Sequence, residues 1–303
     1  MVLPVTCRIG TAERAGTFHS QGQALKAILD RRPSVAPVEV LESTSASIEN
    51  ANRLHAGDID FGFMAANWIG RARAGEAPFS APIELRMVAP MNAGPLFFIV
   101  RAEAPIDSVT DLAGRRVALG LQTSGMVQHA HNIFGALGLS FAEFSPVYLD
   151  FAVGAAALAK GEVDAQFQCP IPNAVMTDLA ERVDLRVLPY RPGQLEAVMQ
   201  AVPYYRATVM RKGAIRGLDR DLPQLAVVNV LVTHVRTPAA LVRDVVAAIL
   251  ADADELARRN ALFVGLDDLF APLQSQGPAA LEFGGVKLHS GALAAYRDAG
   301  LLT

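Results

Sequence analysis

Apolar positions along the chain switch between short continuous runs and helical repeats of three and four, with turns of small polar residues between them. The clearest instance runs from Gly114 to Leu139, GRRVALGLQTSGMVQHAHNIFGALGL. Val117 to Gly120 reads as a buried strand. Thr123 and Ser124 read as N-cap residues of a helix opening near Gly125, with Val127, Ala130, Phe134 and Leu137 on its buried face. The first backbone N–H groups of such a helix, at the positive end of its dipole, suit an anion or a polar ligand head. An ordinary strand-to-helix turn with a Ser/Thr cap has the same pattern. What sets this stretch apart is that the chain builds nearly the same thing twice.

Near the N-terminus the strand VTCRIG leads through TAERAGT into a helix from about Phe18 to Leu29, with Thr17 as its N-cap and Ala24, Leu25, Ile28 and Leu29 buried. Val38 to Leu41 predicts a second strand. The turn STSAS (Ser43 to Ser47) opens a helix that runs through Leu54 and ends at Gly57. A short strand follows, with Asn67 and Trp68 just past its end. Leu85 to Pro90 and Leu96 to Val100 read as two more strands. Later elements are a helix from Asn173 to about Arg182, a strand Leu185 to Leu188, and a helix Gln194 to Ala201. Tyr204 to Met210 and Ala226 to Val232 read as extended. One long amphipathic helix runs from Thr237-Pro238 to about Arg259, and a last helix, capped by Ser290, closes at Gly300.

Leu54 to Phe63, LHAGDIDFGF, is echoed by Leu158 to Phe167, LAKGEVDAQF, and each copy lies at a similar distance from its strand–turn–helix. A fixed order of elements used twice predicts two similar α/β lobes. In open α/β sheets ligands bind beyond the carboxyl ends of the strands. That rule selects the turns TAERAGT, STSAS, MAANW, LQTSGM and QCPIPN. Two lobes that offer such turns to one another make a cleft.

Composition narrows the partners. The 303 residues carry a net charge of −3 without charge blocks, which argues against nucleic acid or an anionic membrane. The two cysteines, Cys7 and Cys169, match no metal or redox spacing and read as buried thiols. No apolar run reaches the length of a membrane span. The N-terminus, MVLPVTCRIG, lacks signal-peptide features, which predicts either a cytoplasmic chain or a mature one with an added Met1.

The same turns resemble the TAXI-type solute-binding proteins of TRAP transporters, within the type II periplasmic-binding-protein fold. The family's first loop, IGTGGTGGTYY, is similar to IGTAERAGTFH (Ile9 to His19), and its ATGGSVEN to STSASIEN (Ser43 to Asn50). Its DLKGKRVNVGAPGSGT is similar to DLAGRRVALGLQTSGM (Asp111 to Met126), and its DAFFYVAGHPN to Asp164 to Asn173, one residue shorter. The resemblance runs collinearly through essentially the whole chain. It implies two α/β lobes, residues 1–94 with 206–303 and residues 95–205, joined by a two-segment hinge with the ligand cleft between them. It further implies a monomeric, non-catalytic, periplasmic protein without cofactor. Such a protein closes around a small organic anion and delivers it to TRAP permease subunits in the membrane.

Carboxylate capture is expected at the backbone N–H groups and hydroxyls of Thr17, Ser124 and Gly125, with polar contacts from Ser45, Ser47, Asn67 and Asn173 and walls from Phe18, Trp68 and Phe167; Gly16, Thr123, Met126, Gln168 and Tyr204 are expected to line the same site. The first loop departs from the family by losing three glycines and gaining Arg14. That guanidinium either holds a carboxylate bidentately or pairs with a surface acid. The rings of Phe18, Trp68 and Phe167 either stack on a flat acid or belong to the core.

Catalytic constellations are absent from this reading. His129 and His131 stand two apart on a helix, so they cannot chelate one metal and are expected in surface or capping roles. Ser124 lies in no nucleophile elbow, and LQTSG has neither a Walker lysine nor the dinucleotide fingerprint. Asp60 and Asp164 occupy the repeated strand entrance, a structural place. The alternative is a cytoplasmic enzyme or sensor reusing the same fold, with Cys169 as its candidate reactive group.

Overall fold

The computed structural model describes residues 6–14, 16–35, 37–43, 45–122, 125–168, 171, 173–202 and 204–303. Backbone proximity divides the chain into two units: one comprises the chain through Ala93 together with Val228–Thr303, the other Gly94–Val227.

The first unit starts with β1 (Cys7–Gly10), α1 (Thr17–Leu29), β2 (Val38–Leu41), α2 (Ser47–Ala56), β3 (Phe61–Ala65) and α3 (Ala66–Ala74), and β4 (Leu85–Arg101) leads out of it. β1 lies between β2 and β3, parallel to both, with Gly10 beside Leu41 and Gly62. The second unit holds β5 (Arg116–Ala118), α4 (Gly125–Ala136), β6 (Ser145–Val147), α5 (Phe151–Lys160), β7 (Ala165–Gln168), α6 (Ala174–Arg182), β8 (Leu185–Val187), α7 (Gln194–Ala201) and β9 (Tyr205–Met210). There β5 lies between β6 and β7, parallel to both, while the far half of β4 runs antiparallel to β7 and β8. β10 (Leu222–His234) leads back, pairing antiparallel with β3, and α8 (Ala239–Ala251), α9 (Ala253–Arg259), α10 (Pro272–Gln276) and α11 (Ser290–Asp298) complete the first unit.

The internal echo is built with the same devices in each unit. α2 and α5 end at left-handed Gly57 and Gly161, with φ of 86° and 76°. An arginine of the same unit then donates to the helix end, Arg236 to the Leu54 carbonyl and Arg101 to that of Leu158, both at 2.9 Å. Asp60 Oδ2 accepts from the Arg8 N–H at 2.8 Å, and Asp164 Oδ2 from the Arg116 N–H at 2.8 Å. These two carboxylates therefore fasten strand entrances.

Several elements differ from the sequence reading. Leu85 to Val100 is one strand, because proline's fixed φ is compatible with an extended chain and Pro90 and Pro95 do not break it. The segment after Asn67 is helical, so Asn67 and Trp68 lie in the first turn of α3. The long C-terminal helix breaks at Asp252, whose carboxylate accepts from Arg32 at 2.8 Å. α11 is capped by the His289 imidazole, which accepts from the Gly291 N–H at 3.1 Å, and not by Ser290. The second division between units falls inside β10 instead of at Tyr205, since β9 pairs with the first half of β10, Tyr205 opposite Val227.

Candidate functional site

In the first unit β2, β1 and β3 are parallel neighbours, so the helices that follow them start at one edge of the sheet. The cap residues of α1, α2 and α3 are Gly16, Ala46 and Ala65, and none of these three supplies a side-chain cap. Each uncapped start leaves first-turn N–H donors at the positive end of a helix dipole. Ala46 has φ of 41°, the only positive φ outside glycine among the described residues. A backbone held in such a region costs on the order of 1–3 kcal/mol and marks functional turns.

Polar side chains beneath this edge hold the turns in place. Thr11 Oγ1 donates to the Leu41 carbonyl at 2.8 Å, and Ser43 Oγ to the Thr11 carbonyl at 2.8 Å. The Asn50 amide donates to the carbonyls of Thr11 and Phe63 at 2.7 and 2.9 Å, and Ser47 Oγ accepts from the Ala65 N–H at 3.0 Å. A buried amide set joins them, with Gln21 and Asn229 both donating to Asn92 Oδ1. Asn67 contrasts with all of these. It is 4% exposed, and neither its Nδ2 nor its Oδ1 meets a partner among the described residues. An unsatisfied buried amide costs about 1–3 kcal/mol.

The corresponding edge of the second unit has a matching feature. Gln168, the last residue of β7, is 1% exposed, and both polar atoms of its amide lack a partner among the described residues. In the same unit His129 of α4 is buried, with Nδ1 2.7 Å from the Tyr205 hydroxyl. Burial pushes the imidazole down to about 4, so it is neutral at neutral pH. Burial also pushes the Tyr205 phenol up, with the nearby Tyr204 and Tyr190 adding to the effect. Tyr204 accepts from the Asn132 amide, and the buried Tyr190 hydroxyl has no partner among the described residues. These groups are polar and uncharged.

The other expected residues divide between scaffold and surface. Arg14 is a surface pair: its guanidinium donates twice to Glu42 Oε1, at 3.0 and 2.7 Å, and holds that carboxyl below its ordinary range. Gly16 closes a tight turn on the Glu13 carbonyl at 2.7 Å, where a Cβ would lie 2.9 Å from that oxygen. Thr17 is half-buried and begins α1 without capping it. Phe18 packs on Phe63, and Phe167 is fully buried and stacked on Phe98 at 4.3 Å, so both are core. Trp68 is half-buried, edge-on to Phe79, with the Arg71 guanidinium 5.1 Å from its ring. Ser45 is exposed, and Met126 is buried in the first turn of α4. Asn173 caps α6, its Oδ1 accepting from the Met176 N–H at 2.8 Å. Gly125 begins α4, whereas Thr123, Ser124 and Cys169 lie outside the described residues.

His131 is exposed and stacks on Phe141. The expectation of a surface or capping role fails for His129, which shares the apolar helix face of Met126, Ala130 and Ile133. That three-and-four spacing was the available signal for its burial. The amides of Gln21, Asn92 and Asn229 and the Tyr190 phenol were missed too, because long-range pairing carries no local signature. Among the described residues no group of His, Cys, Asp and Glu side chains could hold a metal ion, and no helix is long and apolar enough to cross a membrane.

The sequence pattern of the NMT1-like family matches residues 9–300. Solved structures with a similar fold include a protein described as the periplasmic sulfonate-binding protein SsuA of a sulfonate ABC transporter in Methylobacillus flagellatus KT. It is 14% identical, over 98% of this chain and 95% of that one, with a TM-score of 0.56. A TctC solute-binding protein from Polaromonas is 15% identical, over 88% and 99%, with a TM-score of 0.55. The periplasmic VFT2 domain of Bordetella pertussis BvgS is 17% identical, over 85% and 93%, with a TM-score of 0.50. At these identities the likeness is one of fold.

Proposed function

Because the chain belongs to the NMT1-like family and has the fold of periplasmic binding proteins, we propose that it is a non-catalytic solute-binding protein for a small organic anion. The observation that carries this reading is the strand edge of the first unit. Three uncapped helix starts gather there, and Asn67 in one of them presents a buried amide without a protein partner. An anion accepts from first-turn N–H groups and relieves the positive end of each dipole. Its binding also offsets part of what the unpartnered amide costs.

Carboxylate is the anionic group favoured by the TAXI-type motifs, IGTAERAGTFH and STSASIEN above all. On the same resemblance the protein works in the periplasm as a monomer and passes its solute to TRAP permease subunits. The likeness to a sulfonate-binding protein makes sulfonate the competing class, since helix N-termini accept either anion.

A thermal-shift screen with carboxylates and alkanesulfonates, followed by mass spectrometry of each hit, tests the reading. At about 100-fold excess over Kd, mass action adds about 2.7 kcal/mol, a shift of several degrees. The expected result is a carboxylate that raises the melting temperature and is recovered intact. A sulfonate hit would correct the ligand class, and a converted solute would overturn the non-catalytic reading.

A further inference from the structure

Resting on the solute-binding reading, we infer that the Gln21–Asn92–Asn229 amides of the first unit take a hydroxyl of the solute, so that hydroxy acids are preferred over both plain acids and amino acids. All three residues belong to the first unit. Gln21 of α1, Asn92 of β4 and Asn229 of β10 are 0%, 5% and 7% exposed. They share two hydrogen bonds, both accepted by Asn92 Oδ1, from Gln21 Nε2 at 3.1 Å and from Asn229 Nδ2 at 3.2 Å. Gln21 Oε1 is left buried and without a partner among the described residues. Among those residues the Asn92 NH₂ group donates to nothing and Asn229 Oδ1 accepts from nothing. One cluster therefore keeps two acceptors and a donor unused. Asn50 Oδ1, the other amide oxygen of this unit whose NH₂ end is bonded, is walled in instead, since a Cβ on Gly10 would lie 2.5 Å from it.

The cluster stands beside the helix starts that serve the anion. Gln21 lies four residues, one turn, after Thr17 on α1, and long helical side chains lean back toward the N-terminus. Asn229 pairs across the sheet with Ala65, the cap residue of α3. The three amides thus link the starts of α1 and α3. A hydroxyl both donates and accepts, so it serves an amide oxygen and the Asn92 NH₂ group together. An ammonium group only donates, and no charged side chain bonds any of the three amides among the described residues. Burying that charge here would strip its water without supplying a countercharge. A plain alkyl chain would leave the buried oxygen of Gln21 as it is.

The test compares matched acids on the full-length protein by calorimetry and thermal shift. One series is butyrate, 4-hydroxybutyrate and 4-aminobutyrate; the other is ethanesulfonate, its 2-hydroxy derivative and its 2-amino derivative, so either anion class can be read. In the series that binds, the hydroxylated acid is expected to bind roughly tenfold more tightly than the plain one, the size of one buried hydrogen bond left unmade. The amino acid is expected to bind no more tightly than the plain one. Gln21→Leu removes the open oxygen at similar volume and should reduce the hydroxyl preference to about twofold or less. Gln21→Glu keeps the shape and supplies a countercharge, so the amino member should gain about tenfold on the hydroxylated one, a reversal that a merely structural role would not produce. Either variant suffices if the other does not fold. Equal binding of hydroxylated and plain acids, an amino member that matches the hydroxylated one, or a preference untouched by substitution at Gln21 would overturn the inference while leaving solute binding intact. If no member of either series binds, the solute-binding reading falls, and this inference with it.

Discussion

His129 shows how far one buried residue can be taken. Its imidazole stays neutral down to about pH 4, whereas a histidine in the unfolded chain takes up a proton near 6.5. Between those values unfolding binds a proton that the native state refuses. Stability therefore falls as pH drops from about 6.5 to about 4, by about 3 kcal/mol for this residue alone. Burial lowers His234 and His289 as well, so they add to the same window. Glu255 has the same sign in a lower window: its carboxyl is held at about 2 by hydrogen bonds from Arg31 and then Arg259, so its contribution is present above about 4.5 and is lost as pH falls from there toward 2. Urea titrations at pH 7 and pH 4.5 should show the histidine loss, and His129→Gln should flatten it. An unchanged slope in that variant would assign the loss to other groups. Arg14 supports a second expectation at this scale. Its side chain is 84% exposed and bonded to Glu42, so Arg14→Ala should leave solute affinity within about twofold by calorimetry, as exposed pairs contribute little. A tenfold loss would restore it to the site.

At the scale of elements, the two copies of the repeat solve one packing problem in opposite ways. In the first unit the helix supplies the amide and the strand the glycine: a Cβ on Gly62 would lie 3.1 Å from Asn50 Cβ. In the second unit the strand supplies the amide and the helix the glycine, and a Cβ on Gly154 would lie 2.6 Å from Gln166 Nε2. That nitrogen donates to the Phe151 carbonyl at 2.9 Å, and Gln166 is 1% exposed, so it has little room to retreat. Gly154→Ala should destabilise by about 1–3 kcal/mol through overpacking and the lost hydrogen bond. Adding Gln166→Ala should recover part of that loss, a coupling readable in a double-mutant cycle. Additive penalties would show that the two positions do not interact. Helices with a sustained apolar stripe, such as α1 and α7, were legible in the sequence to within a residue or so. Boundaries set by a single residue were not. The break at Asp252 depends on arginines far away in sequence, and the His289 cap on an imidazole that cap preferences rank low.

For the whole molecule, the order of elements and their duplication were legible because LHAGDIDFGF and LAKGEVDAQF recur with their helix ends and strand-entrance aspartates. The candidate site was legible as a set of turns at strand ends, and less so as a set of side chains. Phe18 and Phe167 look like pocket walls in a string of letters and turn out to fill cores, since apolar periodicity does not say which buried face a ring joins. Asn67 and Gln168 are both among the expected ligand-binding residues, but what distinguishes them, the lack of a partner among the described residues, emerges only from three-dimensional pairing. This contrast predicts where a bound acid should slow hydrogen exchange. Protection should rise in the first turns of α1, α2 and α3, because ligand atoms occupy donors there or stiffen the backbone that carries them. It should not rise at Gly57–Asp60 or Gly161–Asp164, at the opposite ends of the same strands, where Asp60 and Asp164 are already bonded to Arg8 and Arg116. Exchange followed by mass spectrometry with and without the best acid from the screen resolves these segments. Protection at the aspartate turns with none at the helix starts would place the ligand at the wrong edge of the sheet and remove the proposed site.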